Sequence, residues 1–344
     1  MKIALVSDAW LPQVNGVVTT FRQTLACLQE LGHQVGLITP DKFRTVPCPG
    51  YAEIRLSVMP GRQVANSLDK FKPDLVHIST EGTLGNAGRA WCLQNEFPFA
   101  TSYHTRFPEY LRLRAPIPLS LSYAVLRRFH APAHNTLVRT RTQKNLLEAR
   151  GFGHLSVWPG AVDSELFRPL GKDALSLPRP ISMYMGRVAV EKNLEQFLDL
   201  SLPGTQVIVG DGPDLPKLQK KYPAAVFTGA RFGVELAKML SAADVFVFPS
   251  RTDTLGLVML EAMACGVPVA AFPVPGPADI LTEGATGAMD EDLKAAIFRA
   301  LALDGDACIE LAREHSWRRS TETFLAFQRQ QQASAEYITL AHAS

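Results

Sequence analysis

The chain predicts an α/β protein of two Rossmann-like domains, each a doubly wound parallel sheet. Three observations carry that prediction. Its 344 residues exceed what one hydrophobic core usually organises, so two domains of roughly 150–170 residues each are expected. Short apolar runs bounded by Gly, Pro, Asp or Ser read as strands buried on both faces. Helical patterns separate these runs, and strand–helix–strand alternation over about 40 residues implies a doubly wound sheet.

Composition narrows the function classes. A net charge of +2 with 20% charged residues gives no field that would gather nucleic acid, so none is expected as a partner. Cys27, Cys48, Cys92, Cys265 and Cys308 are scattered and lack CxxC spacing. That argues against a disulfide framework or a zinc site and for a reducing compartment. The opening run Lys2–Val6 is too short for a signal sequence, and no later segment reaches the roughly 18 apolar residues of a membrane span. A cytoplasmic protein, at most peripheral on the inner face of the membrane, is the expectation.

In chain order, Ile3–Ser7 reads as a strand, Gly16–Leu31 as a helix and Gln34–Thr39 as a strand, with Gly32-His33 as the break. The loop from Asp8 to Gly16 is long, and Asn15-Gly16 leads into the helix; a lone glycine there fits ordinary turn chemistry. Leu75–Ser79 and Phe99–Tyr103 are further strands, the second running into His104. Both end at the carboxyl edge, where open α/β sheets bind ligands. Leu111–Ala131 interleaves Arg112, Arg114, Arg127, Arg128 and His130 with Leu113, Ile117, Leu119, Leu126 and other apolar residues. Such a stretch binds an anionic membrane surface or is an ordinary amphipathic helix with solvated arginines. His134–Thr140 reads as a strand, Thr142–Ala149 as a helix and Gly171–Pro180 as a linker, which places the domains at 1–170 and 171–316 with a closing segment at 317–344.

In the second half, Ile181–Met185 is a strand followed by Gly186-Arg-Val-Ala-Val-Glu-Lys-Asn193. Two cations there, Arg187 and Lys192, would in isolation pass as solvated. Gln206–Val209 and Ala225–Gly229 are strands ending in glycine turns. Val245–Phe248 is a strand buried on both faces, followed by a polar loop through Thr254 and a helix from Gly256, ended by Gly266 and Pro268 before the strand Val267–Phe272. At Gly256 the absent side chain leaves helix-start N–H groups open to an anion, which the helix dipole favours. Asp253 and Glu261 place one carboxylate in the loop and one two turns along the helix, a spacing that suits a ligand lying along it. Leu293–Leu303, Cys308–Glu314 and Ser320–Gln331 read as closing helices.

The stretch Pro249-Ser-Arg-Thr-Asp253 through Leu260-Glu-Ala-Met-Ala264 resembles the carboxylate-x7-Glu signature of retaining GT-B glycosyltransferases, family 4 above all. Gly186–Asn193 is similar to that family's Gly-Arg-x-x-x-Glu-Lys motif. Ser102–Tyr110 is similar to its His-Thr-x-Phe-Pro-x-Tyr segment, and Trp158–Pro169 to its interdomain connector. The resemblance spans nearly the whole chain and is nearest the branch of mannosyl- and lipid glycosyltransferases. It implies two Rossmann-like domains facing across a cleft, with the last helix returning to the first domain.

The resemblance also implies transfer of a hexose from a GDP- or UDP-linked sugar to a hydroxyl with configuration retained. No cofactor or metal is expected, Arg187 and Lys192 neutralising the donor diphosphate. By the same resemblance His104 approaches the donor sugar and phosphates, Asp253 faces the sugar, and Glu261 holds the ribose hydroxyls. The backbone of Leu255, Gly256 and Leu257 meets the diphosphate, Gly16 closes over it, and the loops at Gly210 and Gly229 line the nucleoside. The family's usual first acid is Glu; Asp253 keeps the charge with one methylene less reach. The expected acceptor is a membrane lipid such as diacylglycerol, with Tyr110, Arg112, Arg114, Arg127 and Arg128 on the acceptor and membrane side. A polysaccharide or polyol acceptor, a nucleotide-sugar epimerase and a non-catalytic binding protein are the competing readings.

Overall fold

The apolar runs become strands whose residues alternate between two packed faces. The computed structural model describes residues 1–13, 15–48 and 51–328, with the backbone alone at 51–53, 113 and 114. It divides into two units, one made of residues 1–159 with the helical residues 317–328, the other continuous from Gly160 to Ser316.

The first unit runs β1 (Lys2–Val6), α1 (Gly16–Glu30), β2 (Gln34–Ile38), β3 (Thr45–Cys48), β4 (Tyr51–Ser57), α2 (Gly61–Phe71), β5 (Leu75–Ile78), α3 (Thr83–Gln94) and β6 (Phe99–Tyr103). It continues with α4 (Phe107–Arg114), α5 (Leu119–His130), β7 (Asn135–Val138), α6 (Arg141–Glu148) and β8 (Leu155–Val157). Its six-stranded sheet has the order β2-β1-β5-β6-β7-β8, all parallel. Ala4, Val6, Val76 and Ile78 pack against Val64, Leu68 and Leu84 on one face. Ile3, Leu5 and Leu75 pack with Phe21, Leu28, Trp158 and Phe324 on the other.

The second unit runs β9 (Ile181–Met185), α7 (Leu194–Leu198), β10 (Thr205–Val209), α8 (Leu215–Lys221), β11 (Val226–Gly229), α9 (Gly233–Ala242), β12 (Val245–Phe248), α10 (Leu257–Ala264) and β13 (Val269–Ala271). It closes with α11 (Pro277–Ile280), β14 (Gly287–Met289), α12 (Leu293–Ala300) and α13 (Asp306–Glu314). Its sheet is parallel with the order β11-β10-β9-β12-β13-β14. The chain then re-enters the first unit as α14 (317–328). There Ser320 O accepts from Trp158 Nε1 at 3.0 Å, and Gln328 Nε2 donates to His77 Nδ1 at 2.8 Å.

In each sheet the winding reverses once, between β1 and β5 and between β9 and β12, and ligands of open α/β sheets lie beside such reversals at the carboxyl ends. The first reversal is filled by the chain itself. Asp8, 4% exposed, accepts from Leu84 N at 2.8 Å, Gly85 N at 3.2 Å and Thr80 Oγ1 at 2.8 Å, so a carboxylate already occupies the N-terminus of α3. The second reversal is where the conspicuous motifs converge.

Several expectations are corrected. The units part at Pro159–Gly160 rather than at 170, because Leu166, Leu170, Leu175 and Leu177 pack on the core of the second unit. For the same reason 171–180 is no free linker: Lys172 Nζ donates to Ala243 O and Thr205 Oγ1 to Pro178 O. Leu111–Ala131 is two helices, broken where Pro116 and Pro118 interrupt the pattern. The last helix begins at 317, and its expected end at Gln331 lies outside the described residues. The antiparallel β3–β4 hairpin was not foreseen; Pro47 and its mixed polar pattern hide it.

Candidate active site

The loops after β9, β10 and β11 are stitched into one platform. Gly186 N donates to Val209 O at 2.9 Å, Val188 N to Asp211 O at 2.9 Å and Gly210 N to Gly229 O at 3.0 Å. Gly210 has φ +151°, and a Cβ on it would meet Gly186 O at 1.8 Å, so no other residue fits that crossing. Tyr184 Oη donates to Arg187 O at 2.8 Å and fixes the turn that presents Arg187, whose side chain is half-buried. Gly210 and Gly229 are thus accounted for by backbone packing at the sheet edge.

Across the reversal, the Val190–Lys192 turn and the loop after β12 are tied together. Asn193 Nδ2 donates to Pro249 O at 3.0 Å, while Ser250 Oγ and Thr252 Oγ1 both donate to Glu191 O at 3.3 Å. This frame sets Lys192 Nζ 2.5 Å from Asp253 Oδ1, with side chains 18% and 13% exposed. The ion pair spans the winding reversal. Arg251 is turned away, stacked 3.6 Å over the Phe272 ring and paired with Glu291 at 2.8 Å.

Helix α10 follows directly. Gly256, at φ +83°, is its N-cap, and a Cβ there would meet the Phe248 ring at 2.7 Å. No side chain among the described residues caps the helix, so its leading N–H groups keep their affinity for an anion. The Leu255 side chain is buried and packs with Leu257 against Gly160, which leaves only their backbone for a ligand. In the second turn of α10 the Glu261 carboxylate has no hydrogen-bond partner among the described residues, and burial pushes it up to about 7. A carboxylate held this way gains from any hydroxyl donor brought to it.

The first unit contributes residues of different character. His104, just past β6, packs edge-on to Phe21 at 5.3 Å and against Trp158 at 5.8 Å. Burial, then the Arg139 charge, holds its imidazole well below the usual range, hence neutral. Gly16 opens α1, but Asn15 Oδ1 accepts from Val17 N and Val18 N at 3.0 Å, so that helix start carries its own cap. Glu109 ties α4 to α5, accepting from Arg106 Nη2 at 2.8 Å and Tyr123 Oη at 2.7 Å. Tyr110 is half-buried on α4.

Of the expected membrane-facing residues, Leu126 is core, packed with Tyr103, Tyr123 and Phe152, and Leu119 is partly buried against them. The exposed apolar side chains are instead Leu111, Leu121 and Val125, beside exposed Arg112, Arg127 and Arg128. The side chains of Leu113 and Arg114 lie outside the described residues. Among the described residues no helix is long and apolar enough to cross a membrane, and no three His, Cys, Asp or Glu side chains converge as a metal set would. Sequence reasoning missed Arg139 and Gln143, described below.

Two doubly wound parallel units, the second with a cation–carboxylate pair at its winding reversal, are the make-up of the GT-B fold. The chain matches the family models described as Glycosyltransferase Family 4 over residues 14–166 and Glycosyl transferases group 1 over 179–303. It belongs to that family. It is 32% identical over 316 residues to the GDP-mannose-dependent alpha-mannosyltransferase of Mycobacterium tuberculosis (strain CDC 1551 / Oshkosh), covering 83% of each chain. To the alpha-monoglucosyldiacylglycerol synthase of Acholeplasma laidlawii it is 28% identical over 317 residues, 78% of this chain and 79% of that one. Among solved structures, sucrose-phosphate synthase from Thermosynechococcus elongatus shares the fold with a TM-score of 0.77, at 23% identity over 97% of this chain and 99% of that one.

Proposed function

We propose that this glycosyltransferase moves a hexose from a GDP- or UDP-linked sugar to a hydroxyl of a membrane lipid such as diacylglycerol, with configuration retained. The observation that carries the donor half is the Lys192–Asp253 pair beside the start of α10, which no side chain among the described residues caps, with the Glu261 carboxylate unpartnered among those residues in the helix's second turn. The donor diphosphate takes the place beside Lys192, Arg187 and the α10 N–H groups, and the ribose hydroxyls donate to Glu261.

When the sugar C1–oxygen bond breaks, its electron pair stays on the β-phosphate. Preorganised cations and N–H dipoles lower that barrier because they strengthen as the charge develops. The acceptor hydroxyl then bonds to C1 on the face the phosphate leaves, and its proton passes to the departing phosphate oxygen. Neutral His104 serves the sugar as a hydrogen-bonding group and not as a charge. Asp253 orients Lys192 and meets the sugar hydroxyls. With Arg187 and Lys192 supplying the positive charge, the reaction runs without a cofactor or a divalent ion.

For the acceptor half, the support is the exposed Leu111, Leu121 and Val125 beside Arg112, Arg127 and Arg128, a combination that enters an anionic bilayer surface, together with the name of the alpha-monoglucosyldiacylglycerol synthase relative. The test is release of nucleoside diphosphate from GDP-mannose and UDP-glucose, with and without vesicles of diacylglycerol and anionic lipid, alongside recovery of labelled glycolipid. Acceptor-dependent release and a labelled lipid are expected. Label recovered only in a soluble product would overturn the lipid acceptor, and no release from any nucleotide sugar would overturn the donor assignment.

A further inference from the structure

Arg139 stands just past the carboxyl end of β7, in the first unit. Its side chain is 4% exposed. Nη2 donates to Pro159 O at 3.3 Å, the guanidinium lies 4.6 Å over the Trp158 ring, and Nη1 has no acceptor among the described residues. No carboxylate among the described residues pairs with it, and burial alone pulls it down to about 9, so it stays charged at neutral pH. Cations buried this deeply are ordinarily paired, since desolvation is costly and one ring face returns only part of it.

A second buried donor close by in the chain also lacks an acceptor among the described residues. Gln143, in the first turn of α6, is 2% exposed; its Oε1 accepts from Arg139 N at 3.2 Å, while its Nε2 has no acceptor among the described residues. One charged and one neutral donor are therefore left over in the same turn, at a helix N-terminus whose dipole adds positive potential. A carbonyl or hydroxyl would satisfy the hydrogen bonds and leave the charge uncompensated. An oxyanion satisfies both. Partly exposed His104 lies edge-on to Trp158 at 5.8 Å and within reach of the Arg139 charge.

We propose that Arg139, assisted by Gln143, holds an oxyanion of a substrate, a phosphoryl or carboxylate group. The proposal rests on the transferase reading only in calling the ligand a substrate. An acceptor phosphate and the donor diphosphate share this chemistry, and binding of separate probes tells them apart without turnover.

The experiment uses the full chain with inorganic phosphate, with sn-glycerol 3-phosphate against glycerol, and with GDP or UDP, read by calorimetry and by the rise in melting temperature on binding. Arg139→Met keeps an apolar stem over Trp158; Arg139→Lys restores the charge without the fork. Wild type is expected to bind phosphate-bearing probes in a salt-sensitive way, Arg139→Met to bind at least one of them about tenfold more weakly or worse, and Arg139→Lys to recover part of the loss. Selective loss of glycerol phosphate assigns the oxyanion to the acceptor; selective loss of GDP or UDP assigns it to the donor. The ligand-free Met variant should melt no lower than wild type, and His104 should titrate at higher pH. Equal affinity of wild type and both variants for every probe would overturn the site, as would a lower melting temperature with anion binding unchanged. Absence of transfer from any nucleotide sugar leaves these comparisons standing.

Discussion

Lys192 is held by a carboxylate 2.5 Å away, so its charge is in place before any donor arrives. Lys192→Ala should lower turnover on the order of 10²-fold, about 3 kcal/mol of transition-state stabilisation, with the melting temperature near that of wild type; steady-state kinetics on the folded variant decide it. Glu261 couples affinity to stability. Its carboxyl titrates near 7 in the native chain and near 4.5 unfolded, so its contribution is fully present below about 4.5 and is lost as pH rises through 7. Glu261→Gln should therefore be more stable than wild type at pH 8, by at most about 3 kcal/mol, with the gain fading towards pH 5. It should also bind donor more weakly by roughly 1–3 kcal/mol. Denaturant melts at the two pH values and donor calorimetry check both halves. These residues were legible because Lys192, Asp253 and Glu261 sit in long motifs. Arg139 was not, since a lone arginine after Val138 reads as solvated until the fold places Trp158 beneath it.

At the scale of elements, what sequence shows is burial on both faces: β6, β9 and β12 begin and end where their apolar runs do. What it hides is the contact that makes a particular glycine necessary. Gly210→Ala would drive a methyl into Gly186 O, so the platform after β9 and β10 must spread. We expect a loss of donor affinity by calorimetry together with a stability loss of about 2 kcal/mol or more. The α4–α5 pair reads as one amphipathic segment because basic and apolar residues interleave on both sides of Pro116 and Pro118, the prolines that separate the two helices. Knowing which face is out changes the membrane prediction: Leu121→Ser with Val125→Ser, and separately Arg127→Glu with Arg128→Glu, should each reduce co-sedimentation with anionic vesicles, the arginine effect shrinking in high salt. Leu126→Ser should instead lower stability.

For the whole molecule, the first unit is completed only by α14. Fully buried His77 donates through Nε2 to Ser102 Oγ at 2.7 Å and accepts from Gln328, and burial lowers its pKa to about 3. The unfolded chain takes up a proton here near 6.5 and the native chain does not, so stability from this group falls as pH drops from about 6.5 towards 3. Acid should loosen the first unit before the second, and hydrogen exchange between pH 7 and 4 would show protection lost first in β5, β6 and α14. Equal loss in both units would contradict this.

The second unit begins and ends at one place: Val162 N donates to His315 O at 2.8 Å, and Val162 bridges Ser316 in parallel. Seen from the first unit, everything from 160 to 316 is a loop that must close before α14 can dock. A disordered loop of that size would cost about 4 kcal/mol of chain entropy. Once the second unit has folded, its ends already lie side by side and that cost has been met by its own core, so refolding of the first unit should be slow when the second is unfolded and fast when it is not.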